Sequence, residues 1–131
     1  MLSYKHLWGL LILSAIVFSC DKFSQKTLFT NLPASKTNID FENNLVCTEA
    51  FNTYIYRNFY NGGGVAIGDL NKDGFPEIFF CGNMVSNKLY LNKGNNPNTR
   101  FTFEDITEKS GLKTTDVWST GVSFADVNGD G

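Results

Sequence analysis

The feature that most constrains this chain is an internal repeat. Residues 64–74 align without gaps on residues 121–131, 57 positions later, and six of the eleven aligned residues are identical. Between the two copies, short apolar or alternating stretches are separated by polar loops, which is the pattern of short β-strands. A period that holds one four-stranded unit is typical of repeat architectures, and propeller blades of about 40–50 residues are the nearest class. The sequence therefore predicts an all-β chain built from β-propeller blades.

The first repeat is predicted to form one antiparallel, four-stranded sheet. The expected strands are Val65–Leu70, Glu77–Cys81, Lys88–Asn92, and a fourth that runs from Phe101 towards Ile106. The third alternates polar and apolar residues, as a half-buried strand does. The extra length of this repeat is assigned to the loop from Asn92 to Thr99, which is rich in Asn and Gly. The chain thus holds one full blade and the start of the next.

An acidic loop between the first two strands carries oxygen side chains at positions 1, 3, 5 and 9, with Gly74 at position 6. Calcium prefers six to eight oxygen ligands in a flexible shell, and alternate residues of a tight loop can face one centre. The glycine permits the sharp turn that directs the next carbonyl towards that centre. The predicted calcium ligands are Asp69, Asn71, Asp73, the Phe75 carbonyl and Glu77.

The loop has three other interpretations. An EF-hand requires a glutamate at position 12 and flanking helices, but Phe80 occupies that position and the flanks read as strands. A dockerin-like module is disfavoured for the same reason. A solvated Asp/Asn/Gly turn is common between strands. Recurrence of the loop in the same strand context favours calcium over such a turn.

The second copy of the loop contributes Asp126, Asn128 and Asp130 as predicted calcium ligands. Its positions 7 and 9 lie beyond Gly131, so the sequence is interpreted as a fragment of a longer protein. We expect this chain to load the first site and not the second.

The amino terminus resembles a bacterial lipoprotein signal. Lys5 and His6 give a short positive start, and Leu7–Phe18 is a mostly apolar run, too short to span a bilayer as a helix. Residues 17–20, Val-Phe-Ser-Cys, resemble a lipobox, in which the cysteine is acylated. Cys20 is therefore the predicted lipidation site, and the membrane is a predicted partner through that anchor. An ordinary signal peptide or an uncleaved anchor is the alternative.

The predicted organisation follows from these boundaries. Lys- and Ser-rich residues after Cys20 read as a tether, and residues 39–41 give a short strand signal. The segments are a signal peptide at 1–19, a tether at 20–38, a lead-in segment at 39–63, the first repeat at 64–120 and the start of the second at 121–131.

Two cysteines remain after Cys20. A disulfide between Cys47 and Cys81 is possible in an oxidising compartment, but the spacing does not show that the two meet. Cys81 follows an apolar run, which favours a small buried side chain.

Composition argues against several functions. The net charge of −2 gives no basic surface for nucleic acid. His6 is the single histidine and lies in the predicted signal peptide, so none is left for acid–base catalysis or for zinc. Ser119 and Ser123 have no neighbouring base and no nucleophile elbow. The chain is therefore not expected to be an enzyme.

Residues 61–131 resemble the FG-GAP/VCBS repeat family, whose propellers are similar to the amino-terminal domain of integrin α chains. The resemblance rests on four stretches: 64–74, 87–92 (NKLYLN), 103–107 (FEDIT) and 118–121 (WSTG). It implies calcium ligation by the loop residues and a role in adhesion or ligand binding at the outer membrane or cell surface, with a protein or glycan as ligand. An accessory propeller of a larger envelope enzyme, for example a glycan-processing one, and a purely structural spacer are the alternatives.

Overall fold

The computed structural model describes residues 27–94 and 101–129. The chain divides between Asn31 and Leu32, and the sheet lies in the unit Leu32–Gly131. No helix among the described residues is long and apolar enough to cross a membrane. The elements are one helical turn, α1 (Ala34–Thr37), and four strands, β1 (Val65–Gly68), β2 (Glu77–Phe80), β3 (Lys88–Asn92) and β4 (Phe103–Asp105).

The four strands form one open antiparallel sheet in the order β1-β2-β3-β4. This confirms the all-β class and the blade-like unit. Strand β3 has the predicted bounds, whereas the other three are shorter than predicted. Strand β1 stops before Asp69, because that side chain accepts hydrogen bonds from the following loop. Cys81 lies just outside β2, yet its N–H still donates to the Gly64 carbonyl at 2.8 Å.

Two local features differ from the sequence-based expectation. Residues 39–41 form no strand, because Asp40 and Phe41 contact the face of the sheet instead of pairing with an edge. Residues 34–37, within the predicted tether, form α1, which starts after Pro33 and ends where Asn38 takes the left-handed conformation, φ 61°.

The lead-in segment packs against part of one face of the sheet, at β2 and β3. The Phe41 ring stacks on Phe80 with centroids 4.9 Å apart, and Phe80 meets the edge of Tyr90 at 5.8 Å. Tyr90 is fully buried and donates its hydroxyl proton to Asp40 Oδ1 at 2.7 Å. Just before the segment, Asn38 Nδ2 donates to the Phe103 carbonyl at 3.0 Å. The lead-in segment is therefore part of the same packed unit as the blade.

The start of the second repeat packs against the opposite face of β1. Side chains alternate between faces along a strand, so Gly64 and Gly68 point away from the face that carries Phe80. A Cβ on Gly64 would lie 2.7 Å from the Gly121 Cα, and one on Gly68 would lie 2.8 Å from the Phe124 ring. The start of the second repeat therefore packs against β1 on this face, the kind of contact between neighbouring units that a repeat architecture requires.

Tyr90 should make the protein sensitive to alkali. Burial, with the hydrogen bond to the Asp40 carboxylate acting in the same direction, raises the pKa of Tyr90 far above its usual range. Its contribution to stability is therefore complete below about pH 10 and is lost as the pH rises through the folded-state pKa. The free energy of unfolding should fall steeply above about pH 10, and less steeply in Tyr90→Phe, which should cost about 1 kcal/mol at neutral pH.

Urea unfolding between pH 8 and pH 11.5 measures this difference. Tyr54→Phe, at a side chain that is 97% exposed, is the matched control and should keep the wild-type slope. Equal alkaline slopes for Tyr90→Phe and the wild type would contradict the assignment.

Candidate metal centre

The acidic loop connects β1 to β2 as a long hairpin. Gly68 pairs with Glu77 in the antiparallel register, so the two ends of the loop meet at the edge of the sheet. Asp69 directly follows the first of these residues, and Glu77 is the first residue of β2. The hairpin therefore places the first and the last predicted ligand at the base of the same loop, as the spacing predicted.

Asp69 organises the loop backbone. Its Oδ2 accepts the Gly74 N–H at 2.8 Å and its Oδ1 accepts the Asp73 N–H at 3.2 Å. Gly74 has φ 85°, a left-handed conformation that a side chain would strain. The loop thus turns around the Asp69 carboxylate.

The next two predicted ligands, Asn71 and Asp73, form hydrogen bonds within the loop. Asn71 Oδ1 accepts the Asp73 N–H at 3.0 Å, and Asp73 Oδ1 accepts the Phe75 N–H at 2.8 Å. Asn71 Nδ2 also donates to Asp73 Oδ2 at 2.9 Å. The structure therefore brings Asp69, Asn71 and Asp73 into one hydrogen-bonded ring of side chains and amides.

Glu77 is the unusual member of the set. Its side chain is 1% exposed, and its Oε2 accepts the Leu70 N–H at 2.7 Å. Its Oε1 is buried and has no hydrogen-bond partner among the described residues. A buried polar atom without a partner costs about 1–3 kcal/mol, and more when the group is charged. A bound cation is one species that would offset this cost.

The donor set fits calcium in kind, because every predicted ligand offers oxygen. The carboxylates are not gathered around one point, however. Within the described ranges, no three His, Cys, Asp or Glu residues are placed so that they could together hold a metal ion. Asp69 and Asp73 are engaged with loop amides instead.

The second acidic loop repeats part of this geometry. Asp126 Oδ1 accepts the Gly129 N–H at 2.8 Å and the Asn128 N–H at 3.3 Å. Gly129 and Lys72 hold equivalent positions in the two loops, and both are left-handed, with φ 74° and 61°. The two loops also border a common cavity of about 390 Å³, which places them side by side. Asp130 lies outside the described residues.

Asn92 supports the acidic loop, and the sequence analysis did not identify it as a site residue. Its side chain is buried, Nδ2 donates to the Pro76 carbonyl at 3.2 Å, and Oδ1 accepts the Gly94 N–H at 3.0 Å. It therefore fixes the residue that precedes Glu77. The alternation of polar and apolar residues places Asn92 at the end of β3. It gives no signal for the hydrogen bonds with Pro76 and Gly94.

The cysteines are free where the structure describes them. Cys47 is exposed and Cys81 is buried, at 3% exposure, which agrees with its interpretation as a small apolar residue. Cys20, the predicted lipidation site, lies outside the described residues.

Residues 69–131 match the family model described as FG-GAP-like repeat, and no curated protein or solved structure matches significantly. The matched stretch begins at the first predicted ligand, Asp69, and includes β2, β3, β4 and both acidic loops. The resemblance noted in the sequence is thereby confirmed for this stretch. Residues 69–131 of the chain are thus similar to the FG-GAP-like repeat family.

Proposed function

We propose that this chain is the calcium-binding repeat region of a lipid-anchored envelope protein that acts in adhesion or ligand binding and not in catalysis. The observation that carries the calcium part is the buried, unpartnered Oε1 of Glu77 at the base of an acidic loop that recurs in the sequence. The family match supports a propeller-type repeat region as its context.

Seven side chains and one backbone carbonyl of the chain would supply the calcium ligands. Asp69, Asn71, Asp73, the Phe75 carbonyl and Glu77 would hold the ion, and Asp126, Asn128 and Asp130 would begin the second site. Bound calcium supplies the positive charge that neutralises these carboxylates. The amides of Asp73 and Gly74 already hold Asp69 inside the loop, which limits the ordering that binding requires. The role we assign to the ion is to make the hairpin rigid.

Calorimetric titration of the mature protein with calcium tests this proposal. Wild type should bind at the first loop, and Glu77→Gln should bind at least tenfold more weakly, because the variant loses a buried charged ligand. Glu49→Gln, at an exposed side chain, is the matched control and should bind as the wild type does. Two equivalent sites in this chain would contradict the expectation that only the first loop is complete.

Lipid anchoring is proposed from the lipobox-like residues that end at Cys20. Each buried methylene contributes about 0.8 kcal/mol, so two or more acyl chains would hold the protein stably at a membrane. We expect Cys20→Ser to abolish incorporation of radiolabelled palmitate and to move the protein from the membrane to the soluble fraction. Cys47→Ser, at an exposed cysteine downstream of Cys20, should change neither.

A binding role is favoured over catalysis by the side chains available. Residues 20–131 contain no histidine, and the acidic residues that could form an acid–base pair are those assigned to calcium. The family context supports adhesion or ligand binding outside the membrane.

A further inference from the structure

We propose that a cleft between the lead-in segment and the first repeat binds a neutral carbohydrate, an assignment that deepens the proposed ligand-binding function and rests on it. This aromatic cleft is lined by Phe51 together with residues 83–86 and 115–118. Its volume is about 700 Å³, within the range of about 300–1,000 Å³ that is usual for ligand sites.

The cleft has a rigid aromatic wall. The Trp118 indole meets Phe51 edge-on with centroids 5.1 Å apart, Tyr56 edge-on at 5.4 Å, and the buried Phe59 at 5.6 Å. Three rings therefore hold the indole in one orientation, so little conformational entropy is lost when a ligand stacks on the wall. The C–H face of a sugar ring is the kind of apolar surface that such a wall accepts.

The polar side chains on the floor of the cleft already form hydrogen bonds within the protein. Asn83 Nδ2 donates to the Ser119 carbonyl at 3.1 Å, and its Oδ1 accepts from Asn43 Nδ2 at 2.6 Å. Ser86 donates its hydroxyl proton to the Thr114 carbonyl. These groups set the shape of the cleft and leave ligand recognition to other residues.

Asp116 is the group available for recognition. It is exposed, and its carboxylate forms no hydrogen bond or ion pair within the described residues. Its φ of 56° is left-handed, a conformation that aspartate adopts more readily than most residues. A carboxylate can accept hydrogen bonds from two neighbouring hydroxyls at once. An aromatic wall with one free carboxylate at the rim therefore matches a sugar ring.

The lining disfavours other ligand classes. Among the residues that the structure describes, no Lys, Arg or His borders the cleft and the single charge is negative, so an anion would be repelled. The lining residues at 83–86 and 115–118 lie outside the strands, so the cleft offers no sheet edge to which an extended peptide could add. A neutral ligand with both hydroxyl and C–H surfaces is compatible with this lining.

Tryptophan fluorescence of the mature protein tests the proposal directly, since Trp118 is the single tryptophan in residues 20–131. The probes are cellobiose, maltose, chitobiose, lactose and mannobiose, with the tripeptide Gly-Phe-Gly as a non-sugar probe. At least one disaccharide should change the emission saturably. Asp116→Asn should weaken that binding about tenfold or more, as expected when hydrogen bonds to a charged group are lost. Glu108→Gln, which removes one negative charge outside the cleft, should bind as the wild type does.

Thr115→Arg fills the cleft from an exposed position and should abolish binding without changing the melting temperature. The proposal is wrong if no disaccharide alters the emission, if Asp116→Asn binds with wild-type affinity, or if the tripeptide alone binds. Calcium binding is measured separately on the same samples. A protein that binds calcium but no sugar refutes the cleft assignment alone, and one that binds sugar but no calcium refutes the metal assignment alone.

Discussion

Removal of calcium from the mature protein should lower its melting temperature by about 10–20 °C. An ion present at 100 times its dissociation constant contributes about 2.7 kcal/mol when it binds only the folded state. The unit that contains the sheet, Leu32–Gly131, has the size at which 1 kcal/mol shifts the melting temperature by about 4–8 °C. Protease resistance should fall with it, because the loop opens more often.

The size of this effect is attributed to Glu77. Without an ion its buried Oε1 has no partner, so the folded state carries an uncompensated polar atom. Asp69 and Asp73 lie in the same loop and repel one another and Glu77 more strongly when no cation balances them. Each of these costs disappears on unfolding, where water solvates the carboxylates.

Melting curves with excess calcium and after exhaustive chelation measure the shift. Glu77→Gln should melt below the wild type in calcium and should respond little to the chelator. Glu49→Gln should keep the whole calcium-dependent shift, because that side chain is exposed and lies outside the loop. If chelation leaves both the melting temperature and the protease resistance of the wild type unchanged, the calcium proposal is wrong.

The sheet could be predicted from the sequence because each strand and hairpin leaves a local pattern of polar and apolar residues. The alternation of residues 88–92 defines β3 to the residue, and the polar loop between two apolar runs predicts the hairpin that joins β1 to β2. The predicted ends of β1, β2 and β4 extended too far. Strand ends depend on which backbone groups form hydrogen bonds within the sheet. Just beyond β1, for example, the Asp69 carboxylate accepts a hydrogen bond from the Gly74 N–H.

The position of the lead-in segment could not be predicted in this way. Residues 39–41 have the composition of a strand, yet Asp40 binds Tyr90, fifty residues later in the chain, and Phe41 stacks on Phe80. Contacts of this range depend on the assembled sheet and leave no local pattern. The same holds for Glu77, because the loop spacing indicates an oxygen ligand but not that one oxygen is buried without a partner.

Two glycines that are equivalent in the repeat should respond differently to alanine. Gly64→Ala should destabilise the protein by about 1–3 kcal/mol, the usual cost of forcing extra atoms into a packed site. The new Cβ would lie 2.7 Å from the Gly121 Cα and 3.1 Å from the Val122 nitrogen. Both are backbone atoms, so no side chain can rotate to relieve the overlap, and β1 must move away from the second repeat.

Gly121→Ala is the matched control, since a Cβ at that position would meet no described residue within 4 Å. Its φ is not left-handed, so alanine should leave stability unchanged or raise it by up to about 1 kcal/mol through the unfolded state. Urea unfolding followed by Trp118 fluorescence compares the two variants. Of the two added Cβ atoms, only the one on Gly64 would overlap the second repeat, so only Gly64→Ala should push β1 away from that repeat. Equal unfolding midpoints for the two variants would mean that the second repeat does not pack against β1, and the stacked-blade arrangement would then lose its direct structural support.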